Sequence, residues 1–391
     1  MLNASLLKLS AKAKRAGRKL RVRIFFSSSS LFQKLLHTSS LAGKVYPPET
    51  WQKKFGLPSQ DEIAGLELQI KSVFLLPFSV MHPKFVIVDR ERVFLPSCNV
   101  SWEDWFEGCV EISGKITRQF CIFWSNFWNE DREQIAWQDL DSSERDASYL
   151  HSKTIRRPAE DLLAQKDLAM HDVSAVFLPS PHHQNPQFVL PWKECPPPPP
   201  TPLNVFILAA LNGAQTHIRI QTPNLTAPPV LSAILAALRR GVDVEIVTSE
   251  RLMILEQLVL AQTTTPRCVK KLIKRHSALQ EQWLQTSQSE DSAELEAGSL
   301  LKPGRLHVSF YTPRSYKGDK PPSEPVQSHF KCTIIDLEIA ILGSGNMDRP
   351  SWYSSQELGV AFINSRFAAT VEKAAKSALE GRLKLVHDSK S

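Results

Sequence analysis

The sequence predicts an α/β protein made of two repeated halves, and three observations support this prediction. A pattern of the form H-x-K-x-x-x-x-D occurs at residues 82–89 and again at 329–336, and each copy runs into apolar, β-branched residues typical of strands. A helical pattern that ends at glycine and leads into a strand also occurs twice, around Gly17 and Gly241. Five consecutive prolines at 196–200 predict an extended spacer between the halves.

The residues that follow each copy of the motif repeat as well. Serine, asparagine and tryptophan lie 15, 17 and 23 residues after the histidine in both copies. A glutamate and an apolar strand come next, with a three-residue difference in the connecting loop. We interpret this agreement as an internal duplication. The matched residues are Ser97, Asn99, Trp105 and Glu107 in the first half and Ser344, Asn346, Trp352 and Glu357 in the second.

We predict a first half at residues 1–195, a polyproline linker at 196–202 and a second half at 203–391. Residues 1–48 are basic, serine-rich and free of acidic residues, which is also typical of a mitochondrial transit peptide. The helix–glycine–strand pattern favours placing them inside the first repeat. The elements predicted for this half are a helix at Ala4–Ala16, a strand at Leu20–Phe26, a loop at Ser27–Ser59, strands at Leu66–Phe78 and Phe85–Val88, a helix at Phe120–Trp128 and a loop at Phe177–Pro186.

The second half has more elements before its glycine than the first. It has 38 residues from Leu203 up to Gly241, whereas only 16 residues precede Gly17. The first half is therefore expected to be incomplete at its N-terminus, without its opening helix and strand: either its start has been lost, or it keeps a smaller sheet with an uncovered edge. The elements predicted for the second half are a helix from Leu203 to Asn212, a strand at His217–Thr222, a helix from Leu231, a strand to Val247, helical segments at Leu252–Gln262 and Val269–Gln285, a strand at Leu306–Tyr311 and an amphipathic helix after Ala368.

Composition limits the class of protein and its partners. The net charge of +7 arises in residues 1–48, which hold ten Lys or Arg; the remainder has 37 basic and 40 acidic residues, a net charge of −3. Such a body lacks the broad basic field that tracks a nucleic-acid backbone, so nucleic acid is the less favoured partner. No apolar run is long enough for a transmembrane segment, and no secretory signal is visible.

The cysteines indicate the redox compartment. Six are present, without a C-x-x-C pair or zinc-like spacing. Free thiols of this kind favour an intracellular, reducing compartment, with the mitochondrion as one possibility because of the basic N-terminal segment.

The motif residues suit the chemistry of a phosphodiester. His and Lys are two apart and point to one side of a strand, whereas the Asp, seven residues after the His, points to the other. A neutral imidazole can attack phosphorus while a second, protonated imidazole donates to the leaving oxygen. Lysine and asparagine would stabilise the non-bridging oxygens, serine would donate hydrogen bonds or cap turns, and glutamate would fix the imidazole tautomer. The candidates are His82, Lys84, Asp89, His329, Lys331 and Asp336 in the motifs, Ser97, Asn99, Ser344 and Asn346 at the phosphate, and Glu107 and Glu357 as orienting groups.

Paired H-x-K-x4-D motifs, each followed by an S-x-N turn and a later glutamate, resemble those of the phospholipase D superfamily. The resemblance runs from about Leu6 to Ile363 and implies two α/β sandwich halves, each a mixed sheet flanked by helices, with the active site between them. It also implies a phosphohistidine intermediate formed on the first-motif histidine, His82, with His329 as the acid. Pro83 and Pro96 depart from the common pattern of the first motif. Asp89 and Asp336 face away from the lysines, which favours a structural role for them over a role in the chemistry.

We therefore predict a metal- and cofactor-independent phosphodiesterase of phospholipase D type, acting on glycerophospholipid headgroups at a membrane surface. A phosphatidyl transferase resembling cardiolipin synthase and a nuclease of the same superfamily are alternatives with the same mechanism. A different class of protein, a non-catalytic lipid-binding remnant, is suggested by the missing opening strand.

Overall fold

The computed structural model describes residues 2–27, 43–74, 80–99, 103–126, 128, 169–180, 196–288, 301–314 and 324–389. The chain forms two compact units. The first comprises Met1–His82, His182–Phe188 and Tyr353–Gln356, and the second comprises Pro83–Pro181, Val189–Trp352 and Glu357–Ser391. The predicted pair of histidines at 182 and 183 lies outside the described residues.

The first unit is a small α/β layer around a three-stranded sheet. Its elements are α1 (Leu2–Arg15), β1 (Leu20–Phe26), β2 (Lys44–Tyr46), α2 (Pro48–Phe55) and β3 (Leu66–Ser72). The sheet order is β1-β3-β2, with β1 parallel and β2 antiparallel to β3. The predicted helix, glycine stop and strand are confirmed, and Gly17 takes the left-handed conformation (φ 62°) that ends α1.

The loop predicted at residues 27–59 is wrong where β2 and α2 form. Pro47 and Pro48 indicated a loop, but Pro48 is the first residue of α2, where a missing N–H costs no hydrogen bond. Tyr46 is buried and its ring packs against Phe26 and Phe55, at centroid distances of 5.7 and 4.9 Å. This aromatic contact fixes a strand that is too short to show an alternating pattern in the sequence.

The second unit begins with five strands and a helix that belong to the predicted first half. They are β4 (Val86–Val88), β5 (Arg92–Pro96), β6 (Trp105–Phe106), β7 (Cys109–Ser113), α3 (Thr117–Ser125) and β8 (Ser174–Ser180). β4, β5 and β7 form an antiparallel three-stranded sheet. Phe120 and Phe123 of α3 are buried, as the helical aromatic pattern predicted.

The rest of the second unit builds an eight-stranded mixed sheet flanked by helices. Its elements are α4 (Pro202–Gly213), β9 (His217–Gln221), α5 (Pro228–Arg239), β10 (Asp243–Thr248), α6 (Ile254–Glu256) with a π-helical turn (Gln257–Ala261), α7 (Thr265–Gln288), β11 (Leu306–Tyr311), β12 (Gln327–Ser328), β13 (Cys332–Ile335), β14 (Ile339–Gly343), α8 (Arg349–Tyr353), β15 (Glu357–Ile363), α9 (Ser365–Ala378) and β16 (Leu383–Asp388). The order in the sheet is β16-β11-β10-β9-β13-β14-β15-β8.

β9 joins the two parts of this large sheet. It pairs in parallel with β10 on one side and antiparallel with β13, the motif strand, on the other. In the described part of the predicted first half, β1, β2 and β3 form one three-stranded sheet and β4, β5 and β7 form another.

Two further differences concern the edges of the large sheet. β8 was predicted as part of a loop within the first half, but it pairs antiparallel with β15 of the second half, so the sheet does not divide at residue 195. Its Pro179 suggested a turn, yet proline is tolerated on an edge strand. The tail after Ala368 is not one helix, because α9 ends at Ala378 and β16 then pairs with β11.

Candidate functional site

His329 is held in the second unit by residues from both predicted halves. It follows β12, which pairs in parallel with β6 of the first half. Its backbone N–H donates to the carbonyl of Phe106 at 3.0 Å, and the Trp105 ring lies 4.9 Å from the imidazole. The side chain is buried, with 4% exposure. The histidine therefore has a fixed backbone and a packed ring. Glu107 directly follows β6, the strand that pairs with β12.

Glu107 orients the imidazole of His329. Its Oε1 lies 2.7 Å from Nδ1 of His329, and its Oε2 accepts a hydrogen bond from Ser97 Oγ. Because a carboxylate only accepts, Nδ1 carries the proton and Nε2 carries the lone pair. Burial lowers the pKa of His329 to about 4; the Glu107 hydrogen bond acts in the opposite direction, and the charges of Lys331 and Lys84 lower the pKa further. The imidazole is therefore neutral at physiological pH.

The two predicted glutamates are held in the same way. Ser97 Oγ donates to Glu107 and accepts from the N–H of Gly108 at 3.0 Å. Ser344 Oγ donates to Glu357 at 2.5 Å and accepts from the N–H of Leu358 at 3.0 Å. Each serine thus fixes a carboxylate at the start of the following strand. This match at equivalent positions is what the predicted duplication requires.

Lys84 and Lys331 supply positive charge near His329. Lys331 is buried, with 4% exposure, and its Nζ donates to the His329 carbonyl at 2.5 Å. Burial, together with the charge of Lys84, lowers the pKa of Lys331 to about 7. Burial also lowers the pKa of Lys84 to about 8, although Glu357 and Glu107 favour its charged form. A bound phosphodiester would supply the negative charge that both lysines need to stay protonated.

The two predicted asparagines differ in their surroundings. Asn346 donates from Nδ2 to the carboxylate of Asp348 at 2.9 Å, and its Oδ1 is buried without a hydrogen-bond partner. Asn99 is exposed. The charge of Asp348, which binds the Asn346 amide, also favours the charged form of Lys331.

The motif aspartates lie in turns after their strands. Asp89 and Asp336 both adopt left-handed backbone conformations, with φ of 54° and 52°. Asp336 Oδ1 accepts from the N–H of Thr216 at 2.8 Å, the Thr216 hydroxyl and the N–H of His217 at 2.9 Å, and Oδ2 accepts from the N–H of Gln215 at 2.9 Å. Burial raises the pKa of Asp336, but these hydrogen bonds outweigh it and hold the pKa below its usual value. The carboxylate is engaged at the start of β9, which favours the structural alternative over a part in the chemistry.

We expect Asp336→Asn to lower stability while leaving turnover intact. Asparagine tolerates the left-handed conformation, so the change removes mainly the charge and one acceptor. A loss of about 2 kcal/mol is expected for a charge-assisted group of this kind, or roughly 4–8 °C in melting temperature. Asp172→Asn is a matched control, because Asp172 is exposed and has a φ of 56°. If Asp336→Asn keeps its melting temperature but loses activity, Asp336 takes part in the reaction and its role is not structural.

His82 belongs to the first unit. Its backbone N–H donates to the carbonyl of Gln356 at 3.1 Å, and its side chain is partly buried. Its role as the partner of His329 stays a prediction from the sequence.

Two residues near the site were missed by the sequence analysis. A Cβ on Gly108 would lie 2.3 Å from a ring carbon of Phe330, the residue between His329 and Lys331, so only glycine lets these strands approach. Asp348 is buried and connects Asn346 to the N–H of Ser351. Gly108 directly follows Glu107 and could have been noticed, but it aligns with Leu358 and therefore does not repeat.

One group of potential metal ligands occurs among the described residues. His217, Glu245 and Glu372 place one ligand atom each within 4.8 Å of one another. Glu245 is bound by Arg219, and Lys376 lies 2.8 Å from Glu372. Both carboxylates are therefore neutralised by cations, and the group lies at the end of β13 opposite His329.

Comparisons with known proteins relate the second half to one family. Residues 207–379 match the family model described as "Cardiolipin synthase, PLD-like domain". No curated protein matches the chain significantly. Among solved structures, Nuc from Salmonella typhimurium, a phospholipase D family member, is 19% identical over 55% of this chain and 99% of its own, with a TM-score of 0.32. Phosphatidylserine synthase from Haemophilus influenzae Rd KW20 is 13% identical over 98% of this chain and 85% of its own, with a TM-score of 0.48. Within the described residues, no helix is long and apolar enough to cross a membrane.

Proposed function

Residues 207–379 match a phospholipase D-like family model, and from that premise we propose that this chain is a phospholipase D superfamily enzyme that cleaves or transfers the headgroup of a glycerophospholipid through a phosphohistidine intermediate. The observation that carries the proposal is the buried cluster around His329. An imidazole with a carboxylate on Nδ1 and two lysines nearby is suited to attack an anionic phosphodiester.

We assign the nucleophile to His329 and not, as the resemblance implied, to His82. A nucleophilic imidazole must be neutral, and a pKa of about 4 keeps His329 neutral across the physiological range. Glu107 also fixes the tautomer in which Nε2 holds the lone pair. A general acid would need the opposite surroundings, because it must keep its proton until the leaving group departs.

The reaction then has two balanced steps. In the first, Nε2 of His329 forms a bond to phosphorus, the bond from phosphorus to the headgroup oxygen breaks, and the leaving oxygen takes a proton from the acid, which the sequence repeat assigns to His82. In the second, water attacks phosphorus and gives its proton to His82, which lost its own proton in the first step, and the bond between Nε2 of His329 and phosphorus breaks. An alcohol in place of water gives a phosphatidyl transfer, in which the same bonds break and the alcohol gives its proton to the same residue.

The lysines would stabilise the charge that develops on the non-bridging oxygens. Lys331 is fixed to the His329 carbonyl, so its charge lies beside the attacking imidazole without further reorganisation. Lys84 adds a second charge from the other half of the repeat. Their lowered pKa values mean that substrate binding and protonation of the lysines favour each other.

The experiment that tests this proposal is product analysis on mixed phospholipid vesicles. We expect the purified chain to release headgroups into water, or to form phosphatidylglycerol when glycerol is added, in the presence of a chelator. His329→Ala should remove both activities, and His171→Ala, which changes an exposed histidine, should remove neither. Cleavage of single-stranded DNA without action on lipid would establish a nuclease instead. Lipid binding without any turnover would establish the non-catalytic alternative.

A further inference from the structure

An exposed apolar segment lies between β10 and α7. We call it the apolar turn, residues Met253–Ala261, made of α6 and the π-helical turn. Leu255 and Val259 are 80% and 68% exposed and lie four residues apart, on one side of the helical turn. Met253 and Leu258 are exposed as well. A cluster of large apolar side chains on the surface indicates an interaction site, whereas isolated ones do not.

The buried side chain of Gln257 fixes the apolar turn to the protein interior. This buried side chain donates from Nε2 to Asn224 Oδ1 at 2.8 Å and to the Leu252 carbonyl at 2.6 Å. Its Oε1 accepts from the N–H and the hydroxyl of Thr265, at 2.7 and 3.0 Å. Both ends of the amide are therefore engaged. The hydrogen bonds of the Gln257 amide therefore fix the backbone of the turn, with its large apolar side chains on the surface.

The same anchor connects the apolar turn to the candidate active site. Asn224 donates from Nδ2 to Asp348 Oδ2 at 3.5 Å, and that oxygen also accepts from Asn346. Two buried side chains, Asn224 and Asp348, thus separate Gln257 from a motif asparagine. The segment that carries the exposed apolar side chains is therefore joined to this asparagine through buried hydrogen bonds.

Strained backbone encloses the apolar turn. Met253 and Gln262, which flank the helical residues, both have positive φ, at 53° and 57°, and neither is glycine. A π-helical turn lies between them, a form that occurs mostly as short insertions at functional positions.

The helix that follows supplies positive charge. The first eleven residues of α7 contain five basic side chains and no acidic one, and all five are exposed. The apolar turn has a single acidic residue, Glu256. Exposed apolar side chains, followed in the chain by exposed lysines and arginines, match the interface of an anionic bilayer, where acyl chains meet charged headgroups. The five basic residues are Arg267, Lys270, Lys271, Lys274 and Arg275.

We propose that the apolar turn and the basic face of α7 dock this protein onto anionic phospholipid bilayers, with Leu255 and Val259 entering the headgroup–acyl boundary. The inference rests on the proposed function for its choice of a lipid surface. It deepens that function by assigning the residues that bring the site to its substrate and the charge of the lipid that they prefer.

The test is binding to vesicles of phosphatidylcholine alone and of phosphatidylcholine mixed with phosphatidylglycerol. The full chain should prefer the anionic vesicles. Leu255→Ser with Val259→Ser should weaken binding to them at least roughly tenfold, given the area that two such side chains bury. Glutamine at Lys270, Lys271, Lys274 and Arg275 should remove the preference for anionic vesicles and its dependence on salt.

Matched controls separate this surface from general effects. Val205→Ser with Leu301→Ser changes two exposed apolar residues elsewhere, and should bind as the parent chain does. Glutamine at the exposed Lys115, Lys302, Arg366 and Lys373 is the corresponding charge control. Equal melting temperatures would show that each variant folds.

Hydrolysis of a water-soluble diester, bis-p-nitrophenyl phosphate, separates docking from catalysis. The docking variants should keep this activity while losing vesicle binding, which supports the inference. Turn-dependent binding without hydrolysis of any diester would support the docking surface and contradict the proposed function. Vesicle binding that is unchanged in the docking variants would overturn the inference, as would a change from dimer to monomer caused by the apolar substitutions.

Discussion

Replacing His329 by alanine is expected to reduce diester cleavage by about 10⁴-fold or more, as loss of a covalent nucleophile does in other enzymes. The loss should be the same for a phospholipid and for a p-nitrophenyl diester, because both need the N–P bond to form. Neutral His329, oriented by Glu107 at 2.7 Å, is the group whose lone pair makes that bond. Acid-quenched protein incubated with labelled substrate should carry phosphohistidine in the parent chain and none in the variant.

His82→Ala provides the contrast that identifies the two roles. If His82 is the acid, its loss should slow phospholipid cleavage by about 10²–10⁴-fold, the range for general acid catalysis. A p-nitrophenolate leaves without a proton, so its release in the first turnover should be nearly unaffected. Steady-state turnover should still slow, because His82 also takes the proton from water in the second step. The opposite pattern, with the p-nitrophenyl diester still cleaved by His329→Ala and not by His82→Ala, would return the nucleophile to His82.

The fold was predicted best where its pattern is local or repeated. The helix, glycine and strand at Leu2–Phe26 were found because a periodic helix, a left-handed glycine and a β-branched run coincide. β2, β8 and β16 were missed. All three lie at the edge of a sheet, where the pairing partner decides the conformation, and β2 and β8 also adjoin or contain proline.

The sequence predicted which residues belong to the site, but not which of their side chains contact one another. Offsets from the histidine identified the serines and glutamates, because a duplicated half-site must repeat them. That Glu107 binds the histidine 222 positions later could not be derived, since the partner is set by the β6–β12 pairing of two-residue strands. The neutrality of His329 likewise depends on burial and on two lysines, which a sequence does not measure. The left-handed turn at Asp336 explains why its carboxylate faces β9.

Lys331→Ala is expected to lower kcat/KM by about 10²–10³-fold, the effect of removing one preorganised group that stabilises developing charge. Lys331 is buried beside His329, so neither solvent nor an exposed lysine can replace its charge. Lys373→Ala is the matched control, because Lys373 is exposed on α9. An unchanged kcat/KM in Lys331→Ala would show that the phosphate does not bind at this lysine.

The pH dependence of kcat/KM gives a sharper test of the same side chain. On a p-nitrophenyl diester, where no acid is needed, activity should rise with pH through about 4, as His329 loses its proton and gains its lone pair. It should fall above about 7, as free Lys331 loses its proton and its charge. In Lys331→Arg the guanidinium stays charged, so the basic limb should move to about 8, where Lys84 titrates. If the basic limb does not move in Lys331→Arg, a group other than Lys331 sets it, and the assignment of Lys331 to the phosphate is wrong.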